Sequence, residues 1–321
     1  MRAAIINNPG PNSSITITTM DKPTCQPKEI LIKVGATALN RADILQRSGK
    51  YPPPPGASNI PGLEVAGDVV EIGSDVKSFK IGERVYGLIA GGGYAEYCVV
   101  EEGLAFNIPD DWRFDYAAAI PEALTTAHAT VFELGNLSEN QTFLIHGAGS
   151  GIATTAIQMA KTIRATIYTT VGDPAKVSKA KELGASMVYN YKTDPWFDII
   201  EHNTLDVIVD FIGGDYFSKH TSLLAKTGHL IQIACMKDHK IETSLLPILQ
   251  KRLNIHGFVL RSQALDEKKM LWQQAHKRWF NHYESGKIKP IIDSIYSLED
   301  IEKAHEHMKS STHFGKIVIQ I

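Results

Sequence analysis

A chain of 321 residues is long enough for about two domains, each with its own core. Its 43% hydrophobic and 21% charged residues are ordinary for a globular protein in water. With 33 basic against 35 acidic side chains, the net charge of −2 gives no electrostatic case for a nucleic-acid or anionic-membrane partner. The opening MRAAIINNPG is broken by Pro9 too early for a secretory leader, and no run of about 18 apolar residues occurs, so a soluble, cytoplasmic protein is expected. Cys25, Cys98 and Cys235 are odd in number and far apart, which argues against a disulfide framework and falls short of a four-thiolate zinc site.

Residues 1 to about 120 carry short strands separated by glycine-rich corners. Ile30, Ile32 and Val34 alternate; Val65–Ile72, Arg84–Leu88 and Tyr94–Val100 follow, punctuated by Gly67, Gly73, Gly82 and the Gly91-Gly92-Gly93 run. That rhythm predicts a β-barrel-like or sandwich domain. Within it lies YPPPPGASNIPG, Tyr51 to Gly62, whose four consecutive prolines exclude helix and central strand. The stiff loop shapes either a domain edge or the wall of a site, and a proline-motif ligand is the lesser alternative for so short a run.

From about Pro121 strands and helices alternate. In Thr142–Lys161, TFLIHGAGSGIATTAIQMAK, an apolar run (Phe143, Leu144, Ile145) meets a glycine corner and then Ile152, Ala153, Ala156, Ile157 and Ala160 at helical spacing. Gly147, Gly149 and Gly151 would let backbone N–H groups approach a pyrophosphate at a helix N-terminus. The usual G-x-G-x-x-G spacing meets Ala148, Ser150 and Ala153 instead, and glycine-rich turns also occur in loops that bind nothing. Strand Thr166–Val171 follows, then Asp173 as N-cap and Pro174 as first residue of a helix with Val177, Ala180 and Leu183 inward, ending at Gly184. Further strands at Met187–Tyr191, Val207–Asp210, Leu230–Ile233 and Ile255–Val259 imply a parallel, doubly wound sheet.

After about Leu260 one long helix, Asp266–Tyr283, offers Leu271, Trp272, Ala275 and Trp279 to a core. Ser297 starts a second helix carrying Ile301, Ala304 and Met308, and Ile317–Ile321 closes the chain as a strand expected to return to the first domain. His305, His307 and His313 do not form a metal set, because residues two apart on a helix diverge, and His276 and His282 read as surface residues.

In sequence order, ALNRADILQRSGKYPPPPGASNIPGLEVAG, GGGYAEYCVV, AAAIPEALTTA, LIHGAGSGIATTAIQMAK, KELGA, NYK, IGG and LRS resemble the zinc-free quinone oxidoreductases of the medium-chain dehydrogenase/reductase superfamily, in their zeta-crystallin-like, NADPH-dependent branch. The likeness covers essentially the whole chain. It implies an α/β protein: a GroES-like β-rich catalytic domain from residues 1–122 and 262–321, a central Rossmann domain over 123–261, a cleft between them, and homodimers paired through the edges of the nucleotide-binding sheets.

Zinc-dependent relatives take metal from a cysteine near position 40 and the histidine of a Gly-His-Glu triplet; here stand Asn40 and Gly62-Leu63-Glu64, neither an amide nor a leucine replacing those ligands. The resemblance therefore implies no metal, and makes Asn40 and Tyr51 candidate donors to the oxygen of a quinone taking hydride, with Asp43 as likely to orient the loop as to touch substrate. For the cofactor it implies Ser150, Gly151 and Ile152 over the pyrophosphate, Thr125 near the nicotinamide, and Phe314, Gly315 and Lys316 as backbone beside it. Val171 stands where NAD enzymes place an acidic residue for the ribose; with Gly172 after it, and with Lys176 and Tyr191 at family positions for the 2′-phosphate, NADPH is expected. Asp173 pulls the other way, since a carboxylate about 4 Å from a phosphate costs roughly 4 kcal/mol at an effective dielectric near 20. NADH stays possible unless Asp173 is spent as a cap.

The expected activity is NADPH-dependent reduction of a quinone. The alternatives are reduction of α,β-unsaturated carbonyls or enoyl thioesters, and an NADPH-binding structural or regulatory protein with little turnover.

Overall fold

A computed structural model describes residues 1–321. The first segment holds β1 (Arg2–Asn7), β2 (Ser14–Thr19), β3 (Glu29–Ala38), α1 (Arg41–Arg47), β4 (Glu64–Ile72), β5 (Arg84–Leu88), β6 (Tyr97–Glu101), β7 (Ala105–Asn107) and α2 (Phe114–Ala118). Helix α3 (Pro121–Ala127) runs on into a π-helical turn, His128–Leu134. There follow β8 (Thr142–Ile145), α4 (Gly151–Thr162), β9 (Thr166–Val171), α5 (Ala175–Leu183), β10 (Met187–Asn190), α6 (Trp196–Ile199), β11 (Leu205–Asp210), α7 (Tyr216–Leu223), β12 (Leu224–Gln232), α8 (Leu246–Lys251) and β13 (Asn254–Gly257). The chain closes with α9 (Leu265–Glu284), β14 (Ile292–Ser297), α10 (Ile301–Ser310) and β15 (Lys316–Gln320).

Two compact units result: Met1–Ala123 with Arg261–His276 and Pro290–Ile321, and Leu124–Leu260 with Lys277–Lys289. Helix α9 thus contributes its first half to one unit and its second half to the other.

The first unit is GroES-like and β-rich. A seven-stranded sheet runs β14-β15-β3-β4-β5-β7 with β6 also on β3, and β1-β2 form a separate antiparallel pair. Strand β3 is central, so Ile30, Leu31, Ile32 and Val34 are all buried while Lys33 alone is exposed. The terminal strand does return: β15 lies antiparallel to β3, Val318 opposite Ala38 and Ile319 opposite Thr37. Its Ile317 and Ile319 pack with Ala3, Leu39, Tyr94, Ile301 and Met308.

Six parallel strands in the order β10-β9-β8-β11-β12-β13 make the second unit a Rossmann fold. The direction of winding reverses between β8 and β11, the switch point at whose carboxyl end such sheets bind ligands. Phe143, Leu144, Ile145, Ile208 and Val209 are wholly buried there, as two-sided strands require. Two expectations need correcting. Helix α5 begins at Ala175 with Pro174 as the cap residue, one step later than the sequence suggests. His276 is no plain surface residue; its ring stacks on Phe106 with centroids 3.6 Å apart, and burial pushes its pKa down to about 4.

Candidate active site

In the Rossmann unit, β8 feeds α4 through the glycine corner. Gly147 adopts φ +63°, which an L side chain resists, and Ser150 N–H closes the turn on the Gly147 carbonyl at 2.9 Å. Ser150 is the N-cap of α4, its Oγ accepting the Ala153 N–H at 3.1 Å. Gly151 and Ile152 are therefore the first two helical residues, whose amides have no carbonyl four residues back to donate to. Thr125 is fully buried in α3.

At the end of β9, Tyr191 N–H donates to the Val171 carbonyl at 2.9 Å, and a methyl group at Gly172 would overlap the Tyr191 hydroxyl. Gly172 and Tyr191 are thus brought together, with Tyr191 45% exposed. Lys176 is buried on α5. Asp173 is exposed and its Oδ1 accepts the Ala175 N–H at 2.9 Å, so its carboxylate folds onto the start of α5.

In the GroES-like unit, Asn40 precedes α1. Its Nδ2 donates to Glu64 Oε1 at 2.9 Å and to the Ala38 carbonyl at 3.4 Å, while its Oδ1 accepts from Lys316 Nζ at 2.8 Å. Lys316 Nζ also meets Glu64 Oε1 at 2.5 Å and the Leu39 carbonyl at 3.1 Å. Lysine and glutamate are 3% and 0% exposed. The second Glu64 oxygen takes the Glu122 N–H at 2.9 Å. Asp43 is sealed from solvent, accepting the Asn40 and Gly62 N–H groups at 2.8 and 3.0 Å; both oxygens serve the loop, while burial raises its pKa. It orients the chain rather than facing outward.

Tyr51 is half-buried beneath the Arg261 guanidinium, 5.4 Å from its ring centre. Burial first, and the charge of Glu122 next, push its phenol up to about 12 against the opposing pull of Arg261, so it stays a proton donor at neutral pH. Phe314 N–H is held by Asp293 Oδ1 at 2.8 Å, and Gly315 takes φ +114° where a Cβ would strike the Ile291 carbonyl. The side chain of Lys316 in the buried cluster, Glu64 as its counter-ion and Arg261 over Tyr51 were not singled out from sequence. Glu64 was visible only as the third residue of Gly62-Leu63-Glu64, and Arg261 only within LRS.

Comparison with known proteins agrees with this fold. A family profile described as "Zinc-binding dehydrogenase" matches residues 183–319, and one described as "Alcohol dehydrogenase GroES-like domain" matches 26–110. A synaptic vesicle membrane protein VAT-1 homolog of Danio rerio is 29% identical over 317 residues, covering 93% of this chain; the match spans 65% of that protein's length. A quinone oxidoreductase of Lama guanicoe is 29% identical over 303 residues, 92% of this chain and 90% of the relative. Among solved structures, Escherichia coli quinone oxidoreductase complexed with NADPH superposes with a TM-score of 0.88 at 26% identity, over 100% of this chain and 99% of that one. A GroES-like unit and a Rossmann unit in one chain, with both profiles and the superposition, make this chain similar to the oxidoreductases of the medium-chain dehydrogenase/reductase superfamily, and these likenesses support an NAD(P)H-dependent oxidoreductase.

Proposed function

We propose that this protein reduces quinones with NADPH and without a catalytic metal. The observation that carries the reading is the Asn40–Glu64–Lys316 cluster. A catalytic zinc site needs deprotonated sulfur, nitrogen or oxygen ligands and an open position. Here Leu63 is apolar and buried, the Asn40 amide is fully engaged, and an ammonium already neutralises Glu64. Those residues do not fit zinc, despite the name of one matching profile.

The residues of the Rossmann unit do fit a dinucleotide. The Gly147 turn and the first amides of α4 suit a pyrophosphate, Gly172 carries no carboxylate toward a ribose, and Asp173 is spent on its own helix. That set favours NADPH over NADH. When bound, the reduced nicotinamide supplies a hydride from its C4. Tyr51, whose phenol keeps its proton at neutral pH, would offer a hydrogen bond to an acceptor oxygen on which negative charge develops. Asn40 is fixed by Glu64 and Lys316 at the start of α1.

Strand β13 is one edge of the sheet, with Ile255 38% exposed, and Leu245, just before α8, with Leu246 and Leu249 on it, are 64, 59 and 71% exposed. An open edge and these exposed leucines suit a second copy, hence a homodimer. The three unpaired cysteines, and the lack of any helix long and apolar enough to cross a membrane, are consistent with a cytoplasmic location.

Steady-state turnover with NADPH and NADH against a simple quinone, a 2-alkenal and an enoyl thioester tests the reading. Quinone with NADPH is expected to be fastest and indifferent to a chelator. Faster enoyl or alkenal reduction, a tenfold preference for NADH, or activity that is lost when about one bound zinc per chain is removed would each overturn it. Tyr51→Phe is expected to lower kcat by about 10²-fold.

A further inference from the structure

Behind the glycine turn stand three ionisable side chains that hydride transfer does not use. His146 follows the last residue of β8, Asp210 ends β11, and His220 lies on α7; they are 1%, 0% and 0% exposed. His146 Nε2 is 2.8 Å from His220 Nε2, and His146 Nδ1 is 3.0 Å from Thr170 Oγ1. The Trp196 and Tyr216 rings box in His146, with centroids 5.2 and 5.3 Å away.

The proton positions follow one from another. Both Asp210 oxygens accept backbone N–H groups, Oδ1 from Ile212 at 2.6 Å and Oδ2 from Gly213 at 3.1 Å, as an ionised carboxylate does. Burial works to raise its pKa, but the His220 hydrogen bond, the histidine pair and the Ile212 amide outweigh that and hold it at about 2. His220 Nδ1 faces Asp210 Oδ2 at 3.5 Å and has no nearer partner, so the proton belongs on Nδ1; a lone pair there would oppose a carboxylate. His220 Nε2 is then an acceptor, and His146 must donate from Nε2. That leaves His146 Nδ1 to accept from Thr170 Oγ1–H, whose oxygen in turn accepts the Gly147 N–H at 3.3 Å. Burial, and then His220, push the His146 pKa down to about 3, in keeping with a neutral ring.

A metal ion does not explain the cluster. Two nitrogens bound to one tetrahedral zinc at about 2.0–2.1 Å lie roughly 3.3 Å apart. The observed 2.8 Å is a hydrogen-bond distance, and both Asp210 oxygens are already engaged.

We propose that Gly147, Thr170, His146 and His220 form a one-directional hydrogen-bond relay that ends with His220 Nδ1 facing the Asp210 carboxylate, and that the two histidines are positioning residues for dinucleotide binding. The relay ties the turn after β8 to the turn at Ile212-Gly213 after β11. These strands are neighbours at the switch point, so the relay sets the spacing of the two loops at the ligand-binding end of the sheet. It rests on the reading that this unit binds a nicotinamide dinucleotide. Neither histidine touches the ligand; each acts through backbone.

Side-chain ¹⁵N NMR of the ligand-free protein at pH 8 is expected to show His146 as the Nε2–H tautomer and His220 as the Nδ1–H tautomer, with His146 unchanged down to pH 6. The opposite tautomers, an imidazolium at His146, or about one bound zinc per chain released by His220→Leu would overturn the relay. Dissociation constants for NADPH by fluorescence titration form the second arm. His220→Leu, which takes the acceptor from His146 Nε2–H and the imidazole from in front of Asp210, is expected to weaken binding at least tenfold; His220→Gln, whose amide can accept from His146 and donate to Asp210, is expected to stay within about threefold of the wild type. Equal binding by wild type and H220L, or equal loss in both variants, overturns the coupling. A wild type that binds neither NADPH nor NADH overturns it together with the cofactor reading, whereas the quinone reading is not tested by this titration.

Discussion

Lys316 illustrates how one residue can be placed by sequence and yet differ in role. The closing Phe314-Gly315-Lys316 motif suggests backbone beside a nicotinamide, whereas the ammonium is 3% exposed and held by Glu64, Asn40 and the Leu39 carbonyl. Sequence spacing could not show this, because Lys316 and Glu64 are 252 positions apart and meet only when β15 returns. Replacing Lys316 by Met strands a buried carboxylate, so urea unfolding is expected to show a loss of about 3–5 kcal/mol; a loss below about 1 would mean water already reaches Glu64. Gly172 makes a different demand. Its alanine variant crowds the Tyr191 hydroxyl, so the NADPH dissociation constant is expected to rise several-fold with Tm almost unchanged, and an unaltered constant would separate Tyr191 from the cofactor. The glycine turn was legible from spacing, whereas Ser150 stood out there only as a place where glycine is usual and not as the cap of α4. The proton relay was not, since His146, Asp210 and His220 lie on three separate elements.

Among elements, those with a clear period were readable and those defined by capping were shifted. β8, α4 and β9 fall where the apolar pattern predicts, because their buried faces are long and regular. α5 starts a residue late: Pro174 takes the cap position, and Asp173 reaches over it to the Ala175 N–H. β13 raises a question of assembly that no single-strand pattern answers. Ile255→Lys puts a charge on an exposed edge position without touching the buried core, so, on the proposed homodimer, light scattering is expected to report a dimer for the wild type and a monomer for the variant; a variant that stays dimeric would remove this edge from the assembly.

For the molecule as a whole, buried histidines set the response to acid. His128, His146 and His305 are at most 1% exposed, and burial, reinforced by Arg278, His220 and Arg47 respectively, pushes them down to about 4, 3 and 3. His128 Nδ1 accepts from Trp279 Nε1 at 3.3 Å, which further favours a neutral ring. Each folded pKa lies below the unfolded value near 6.5, so between about pH 6.5 and 4 the unfolded chain binds more protons than the folded one. Their stabilisation is present above pH 6.5 and lost as pH falls, by up to about 1.4 kcal/mol per residue per pH unit. Melting temperature is expected to hold between pH 7 and 8 and drop between 6.5 and 5; a flat profile would show these rings hydrated. Composition excluded nucleic acid but said nothing of this, because the twelve histidines count alike until burial sorts them.

The return of β15 to β3 also bears on how the chain is made. On a ribosome, the long central segment of the Rossmann unit emerges and can pair its own strands while the GroES-like sheet still lacks two members, β14 and β15. Until β15 appears, part of β3 is an unpaired edge and Glu64 has no counter-ion, so this unit waits with an edge open to aggregation. Slow completion of one sheet by a strand almost three hundred residues downstream is a kinetic burden that a chaperone, rather than any further contact, is suited to relieve.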